Sequence, residues 1–294
     1  NEYNIDVNKA VHIIGSGRDS TIVDAQLNGR IFSFYISSSD TLLFKDMRVQ
    51  NGNAYDGGGI YHEKGAILQI SNCYFNNNYT NDDGGAIYSN GLLLIDHSIF
   101  HSNYANDDGG AIYTDNENES NILNSTFYNN AANDDGGAIY CNGNVALTNN
   151  IFDSNDGSDP YQHLRNCYDS NYNDFYNPTY DPGGTGNITG DPKFVDYESF
   201  ELDISSPCID AGDPDAPYDP DGTHIDMGAN YFHQQIDKIE FIPDSTFALI
   251  PLESAELTMT VLTNRETFVS GLAETIQMSA VNSYGSFSEI TEED

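Results

Sequence analysis

The sequence predicts an all-β solenoid, a parallel β-helix in which one sequence repeat makes one turn. Three observations predict it. The phrase Asp-Gly-Gly-(Ala/Gly)-Ile-Tyr occurs at Asp56 to Tyr61, Asp83 to Tyr88, Asp108 to Tyr113 and Asp135 to Tyr140, in steps of 27, 25 and 27 residues. A second phrase, Phe-x-x-Asn, alternates with it at Phe75/Asn78, Phe100/Asn103, Phe127/Asn130 and Phe152/Asn155, in steps of 25, 27 and 25 residues. The two phrases share one period, and a period of this length marks a stacked supersecondary unit.

The elements follow in chain order. Val11 to Gly17 and Thr21 to Asp24 read as strands around a Gly turn, as do Phe32 to Ile36 and Leu42 to Val49. The repeat from Gly84 to Asp108 shows one full turn. Gly85-Ala86-Ile87-Tyr88 is a short strand with Ile87 facing in and Tyr88 facing out, by the two-residue alternation of a strand. Ser89-Asn90-Gly91 is a corner, Leu92 to Ile95 a second strand, Asp96-His97 a turn and Ser98-Ile99-Phe100 a third strand. In register, Ile60, Ile87, Ile112 and Ile139 form an aliphatic ladder, and Phe75, Phe100, Phe127 and Phe152 an aromatic one. Asn78, Asn103, Asn130 and Asn155 share a corner, where Asn suits a left-handed backbone and its amide reaches the next turn. The Gly pair admits entry angles that other residues resist. After Asn155 the repeat degrades, and Gly183 to Ile188 reads as a loop.

The chain carries 46 acidic and 10 basic residues, a formal charge of −36. That charge argues against nucleic acid and against anionic membranes as partners, and it favours divalent cations. Asp outnumbers Glu by 32 to 14, and Asp is the turn-former, so much of the acidity belongs to corners. A salt-adapted source is a second reading of the same charge. No apolar run is long enough to span a membrane. The sequence opens at Asn1 with no basic-then-apolar leader, and it reads as a piece of something longer. Cys73, Cys141, Cys167 and Cys208 have no metal-binding spacing. Cys141 and Cys167 are 26 residues apart, near one repeat, which leaves a disulfide between adjacent turns open. Buried free thiols are the favoured reading, since unpaired Cys packs as a small apolar residue.

The Gly-Gly-Ala-Ile and Phe-x-x-Asn phrases resemble the repeats of polymorphic outer-membrane proteins and adhesin-like surface proteins of bacteria and archaea. Val11 to Asp24 resembles the first turns of secreted right-handed β-helix proteins. Asp191 to Asp196, Ser206 to Asp213 and Asp219 to Ala229 are similar to the closing segment of that pectin-lyase-like group. The resemblance implies a right-handed parallel β-helix over residues 1–236, closing at about 190–232, and an extracellular or cell-surface location. Residues 237–294 change character. Ala255 to Leu262, Val269 to Leu272, Ile276 to Val281 and Tyr284 to Ser288 resemble the front of an invasin-type bacterial Ig-like domain, which implies a truncated β-sandwich stalk.

Three groups of residues are candidates for chemistry. Asn81-Asp82-Asp83, Asn106-Asp107-Asp108 and Asn133-Asp134-Asp135 stack carboxylates at one corner. Calcium would relieve their repulsion, and plain Asp-Gly turns are the competing, favoured reading. Asp219, Asp221 and Asp226 alternate around Gly222 as in calcium loops, with Asp210, Asp213 and Asp215 just before. A structural Ca2+ is set there against an ordinary Asp-Gly turn. Tyr61, Tyr88, Tyr113 and Tyr140 form an outward stripe that could dock sugar rings, and plain β-preference with stacking of the tyrosines on one another is the competing, favoured reading.

An enzyme would need a base, a cation or a carboxylate pair. β-Helix polysaccharide lyases are similar to one another in using calcium-binding acids and a basic residue. Between positions 50 and 200 the basic residues are Lys64, Arg165 and Lys193, and none falls in a repeated acid-lined row. The Gly-His-Gly and Arg-x-Lys phrases of galacturonan hydrolases are absent. His97, His101 and His163 are residual candidate bases. Asn78, Asn118, Asn124 and Asn187 head glycosylation sequons of the kind an Asn-rich chain produces by chance. The sequence therefore predicts a non-enzymatic, adhesin-like protein that binds or scaffolds polysaccharide or cell-surface glycan. The alternative is a lyase or hydrolase of acidic polysaccharides.

Overall fold

Short strands recur along the chain, and each pairs with its counterpart one repeat further on. The computed structural model describes residues 2–116, 119–157, 163–167, 169–178 and 183–234, with the backbone of strands Ile236–Ile242, Thr258–Thr263, Gln277–Val281 and Phe287–Thr291. The chain divides into two compact units, Asn1–Pro217 with His224–Phe232, and Tyr218–Thr223 with His233–Asp294.

The first unit is a parallel β-helix. One turn runs through Ile87–Ser89, Leu92–Asp96, Ile99–His101 and Tyr104–Ala105. Repetition builds three seven-stranded sheets and a four-stranded one. The first sheet runs from Ile5–Val7 to Leu164–Arg165, the second from His12–Ile14 to Asp169–Asn171 and the third from Ile22–Asp24 to Asp174–Phe175. Two features depart from the sequence reading. A fourth ladder, Asn53–Ala54 to Ala131–Ala132, was not foreseen, because two residues per strand are too few to show alternation. The coil also continues one turn past Asn155: Leu164, Ser170 and Phe175 pair with Ile139, Leu147 and Phe152.

The ladders hold the turns in register. Ile60, Ile87, Ile112 and Ile139 are paired in sequence and fully buried. Phe75, Phe100, Phe127, Phe152 and Phe175 stack with ring centroids 5.0, 4.8, 5.0 and 4.9 Å apart. Each buried Phe contributes roughly 1.5–3 kcal/mol, and parallel stacking adds to it. Within each Gly pair the roles differ. Gly109 has φ +66, while a Cβ on Gly110 would lie 2.0 Å from the Gly137 carbonyl oxygen. The first glycine thus supplies a left-handed turn and the second permits the next turn to approach.

The Asn corner is a buried hydrogen-bond ladder. Asn103 Oδ1 accepts the Asn78 N–H at 3.1 Å and Asn78 Nδ2 at 3.0 Å, and Asn103 Nδ2 donates to Phe75 O at 3.0 Å and to Asn130 Oδ1 at 2.9 Å. Asn130 and Asn155 repeat the pattern. The left-handed backbone sits one residue earlier than expected, on Asn77, Ser102, Asn129 and Ser154 with φ of 53–55°. That residue makes the bend, and the Asn after it is buried with its amide bonded to both neighbouring turns. A second ladder, missed in the sequence, runs from Cys73 N–H through Ser98, Ser125 and Asn150 to Asn173.

Cys141 and Cys167 form a disulfide with Cα atoms 5.2 Å apart, which corrects the favoured expectation of free thiols there. Adjacent turns bring the two Cα atoms within the span a disulfide needs. Cys73 and Cys208 are buried free thiols. The Ig-like expectation falls largely on residues outside those described. In that region Ile236–Ile242 pairs antiparallel with Thr258–Thr263, and Gln277–Val281 with Phe287–Thr291. No helix among the described residues is long and apolar enough to cross a membrane.

Candidate functional site

Each stripe tyrosine follows an inward isoleucine, so strand alternation carries it to the outer face of the first sheet. Tyr61, Tyr88, Tyr113 and Tyr140 stack in order with centroids 5.5, 5.1 and 5.1 Å apart and planes within 9°. Beyond Tyr61 lie the Tyr35 ring at 6.0 Å and the Arg30 guanidinium at 4.9 Å. The ring faces are engaged with one another, so the row offers ring edges and phenol hydroxyls. Burial, then nearby carboxylates, pushes the Tyr88 phenol up to about 12 and raises those of Tyr61, Tyr113 and Tyr140. All four therefore stay neutral at physiological pH.

The Asp-Gly-Gly corner carries the acids. Asp83 Oδ1 accepts the Asp108 N–H at 3.1 Å, and Asp108 Oδ1 accepts the Asp135 N–H at 2.9 Å. These carboxylates splint successive turns. Burial, opposed by that N–H and reinforced by neighbouring acids, pushes Asp83 up to about 7 and Asp108 to about 6. Burial also raises Asp56, and burial with the Asp134 contact raises Asp107. Two arginines bracket the row: Arg30 Nη2 donates to the Asp56 carbonyl at 2.8 Å, and Arg165 Nε pairs with Asp135 Oδ2 at 3.1 Å. Asp56, Asp82 and Asp83 bring carboxylate oxygens within 4.8 Å of one another. Such oxygens are the ligand type calcium takes.

The closing acids are placed differently. Asp210, Asp213, Asp215 and Asp226 belong to the first unit, Asp219 and Asp221 to the second. Asp226 accepts the N–H groups of Asp210 and Phe232 at 2.7 and 2.6 Å, and Asp213 that of Asp215 at 3.0 Å. Asp221 accepts the Thr223 N–H and hydroxyl at 3.1 and 2.7 Å and the Gln234 N–H at 2.7 Å. Asp219 is buried, and its N–H donates to the Thr223 carbonyl.

A groove of about 780 Å³ opens beside the tyrosine row, lined by Tyr61, Glu63, Lys64, Tyr88, Asn90, Asp115, Asn116, Asn142, Gly143 and Asn144. It follows the corner between the first and second sheets. The sequence reading missed it, although a signal existed: Glu63, Asn90, Asp115 and Asn142 each lie two residues after a stripe tyrosine. Asn142 Nδ2 donates to Asp115 Oδ1 at 3.0 Å, and Asn90 Nδ2 to the Tyr61 hydroxyl at 3.5 Å. Asn116 Nδ2 donates to Ser120 Oγ at 3.2 Å, and its Oδ1 is buried with no hydrogen-bond partner among the described residues.

The candidate bases are engaged elsewhere. His97 Nδ1 lies 2.7 Å from Asp96, and His101 Nδ1 lies 2.8 Å from the Tyr74 hydroxyl. His163 is buried against the Tyr176 carbonyl, and burial holds it down to about 4. Lys193 Nζ donates to the Ser205 carbonyl. Asn78 and Asn124 are buried, the Asn78 amide within the Asn ladder and the Asn124 amide donating to Asp96 Oδ1 at 2.9 Å, and Asn118 lies outside the described residues.

A family model described as right handed beta helix region matches residues 9–179. No curated protein matches the chain, and no solved structure does.

Proposed function

The chain belongs to the right-handed β-helix family, and from that premise we propose a non-enzymatic, adhesin-like protein that binds glycan through the groove beside its tyrosine row. The observation that carries this reading is the groove's lining. Phenols and carboxamides both donate and accept hydrogen bonds, which suits the hydroxyls of a sugar, and the groove runs along successive turns as an extended chain requires. An extracellular or cell-surface location belongs to the same proposal. It is supported by the Cys141–Cys167 disulfide, since such bonds persist in oxidising compartments. The same proposal includes repeats of the polymorphic outer-membrane type, an Ig-like stalk at 237–294 supported by two antiparallel strand pairs, and a structural calcium, for which Asp82 and Asp83 with the neighbouring Asp56 offer carboxylate oxygens within 4.8 Å of one another.

The test is a glycan array probed with the chain and with an Asn142→Ala variant. Retention on a defined set of glycans, reduced in the variant, supports the reading. No retention on any glycan overturns it. A second reading, a lyase or hydrolase of acidic polysaccharides, draws on Asp83 and Asp108, whose raised values suit proton transfer near neutrality. Release of new reducing ends or unsaturated uronic products would favour it.

A further inference from the structure

We infer that the groove is selective for neutral glycan chains over uronate-bearing ones, an inference that rests on the glycan-binding reading above. Among the described residues its charged lining is Glu63 and Asp115 against the single cation Lys64. No arginine lines it among the described residues, so the bidentate clamp that commonly holds a carboxylate is missing from that lining. A uronate chain would bring repeated carboxylates to these acids, on a chain whose formal charge is −36. Like charges placed in contact across an interface disfavour binding.

The second observation is independent of charge. Asn116 is 6% exposed, lines the groove, and leaves one end of its amide without a partner among the described residues while the other end is held by Ser120. Buried polar atoms rarely stay unpaired, because each costs about 1–3 kcal/mol. A hydroxyl, which neutral and uronate rings both carry, completes the pairing whichever way the amide is turned, so Asn116 supports a glycan occupant and the charge of the lining sets the preference between the two classes. The lining residues come from four successive turns, a span of roughly 14 Å at the usual strand spacing. That is room for a short run of sugar rings lying along the solenoid.

The experiment is calorimetric titration of the full chain with oligosaccharides of matched length: neutral glucans and mannans in one arm, oligogalacturonates in the other. The expected result is neutral binding at least about tenfold tighter at low salt, with the gap narrowing as salt screens the acids. A Glu63→Gln, Asp115→Asn double variant should narrow it in the same way, by raising affinity for the uronate. Both side chains line an open groove, and circular dichroism checks that the variant is folded. Uronate binding as tight as neutral binding, with no response to the double variant, overturns this inference and leaves the glycan-binding reading standing. Failure to bind either class overturns both.

Discussion

Asn103→Ala gives the sharpest test of how the turns are held. Asn103 makes four side-chain hydrogen bonds, all between buried groups on three successive turns. Truncation leaves the Asn78 N–H without its acceptor and takes a donor from the Phe75 carbonyl. Asn78 Nδ2 keeps Val49 O, and Asn130 Oδ1 keeps the Asn103 N–H, so these two partners are weakened and not orphaned. One orphaned buried donor and three weakened bonds amount to about 2–5 kcal/mol, or a fall in Tm of about 5–15 °C for a domain of this size. The assay is thermal and urea unfolding followed by circular dichroism. Asn133→Ala is the control, because Asn133 is exposed and its amide reaches only Asn106 among the described residues. It should stay within about 0.5 kcal/mol of the parent. Asn103→Asp keeps the acceptor and loses both donor bonds, so it should be less stable at pH 7, where a buried charge results, than at pH 4. Equal stability of the Asn103→Ala and Asn133→Ala variants would refute the ladder as a source of stability.

Phe100→Ala removes an interior ring of the stack and should cost about 3–5 kcal/mol, read as a lowered urea midpoint. Cys141→Ser with Cys167→Ser opens a 26-residue link and should cost about 3.5 kcal/mol on the chain-entropy scale, visible as loss of the parent's sensitivity to reductant. Asp83 predicts a pH dependence. Its folded value near 7 exceeds the ordinary carboxyl value, so its contribution is present in full below about pH 4 and is lost as pH rises towards 7. His62 and His163, held down to about 4 by burial, act in the opposite sense as pH falls below about 6.5. Between pH 5 and 8, Asp83→Asn should therefore lose less stability than the parent does; parallel Tm profiles would contradict this.

The repeat was legible because a solenoid writes its core at one period. Phe75, Phe100, Phe127 and Phe152 stand in the register their spacing implies. Other features were hidden for physical reasons. The last turn keeps Phe175 in the stack but replaces Ile-Tyr with Leu164-Arg165, so neither phrase survives whole. The bend at Ser102 lies in a position of Phe-x-x-Asn where identity is free, and only backbone geometry reveals it. The tyrosine row was visible as a pattern, yet face-to-face stacking, which leaves only edges and hydroxyls to a ligand, depends on side-chain torsions. The groove is built from corner residues whose chemistry differs from turn to turn, Glu63, Asn90, Asp115 and Asn142. A search for identical residues passes over it.

The most direct test of the central claim is saturation-transfer NMR on mixtures of neutral polysaccharide and full chain, with the sugar's anomeric signals followed for a day. The account predicts saturation of sugar protons by the protein, loss of that signal in Asn142→Ala, and an unchanged ratio of internal to reducing-end anomers. Steady growth of reducing-end or unsaturated signals would contradict it by showing turnover, and absence of any saturation with folded protein would contradict it by showing that the groove holds no neutral glycan.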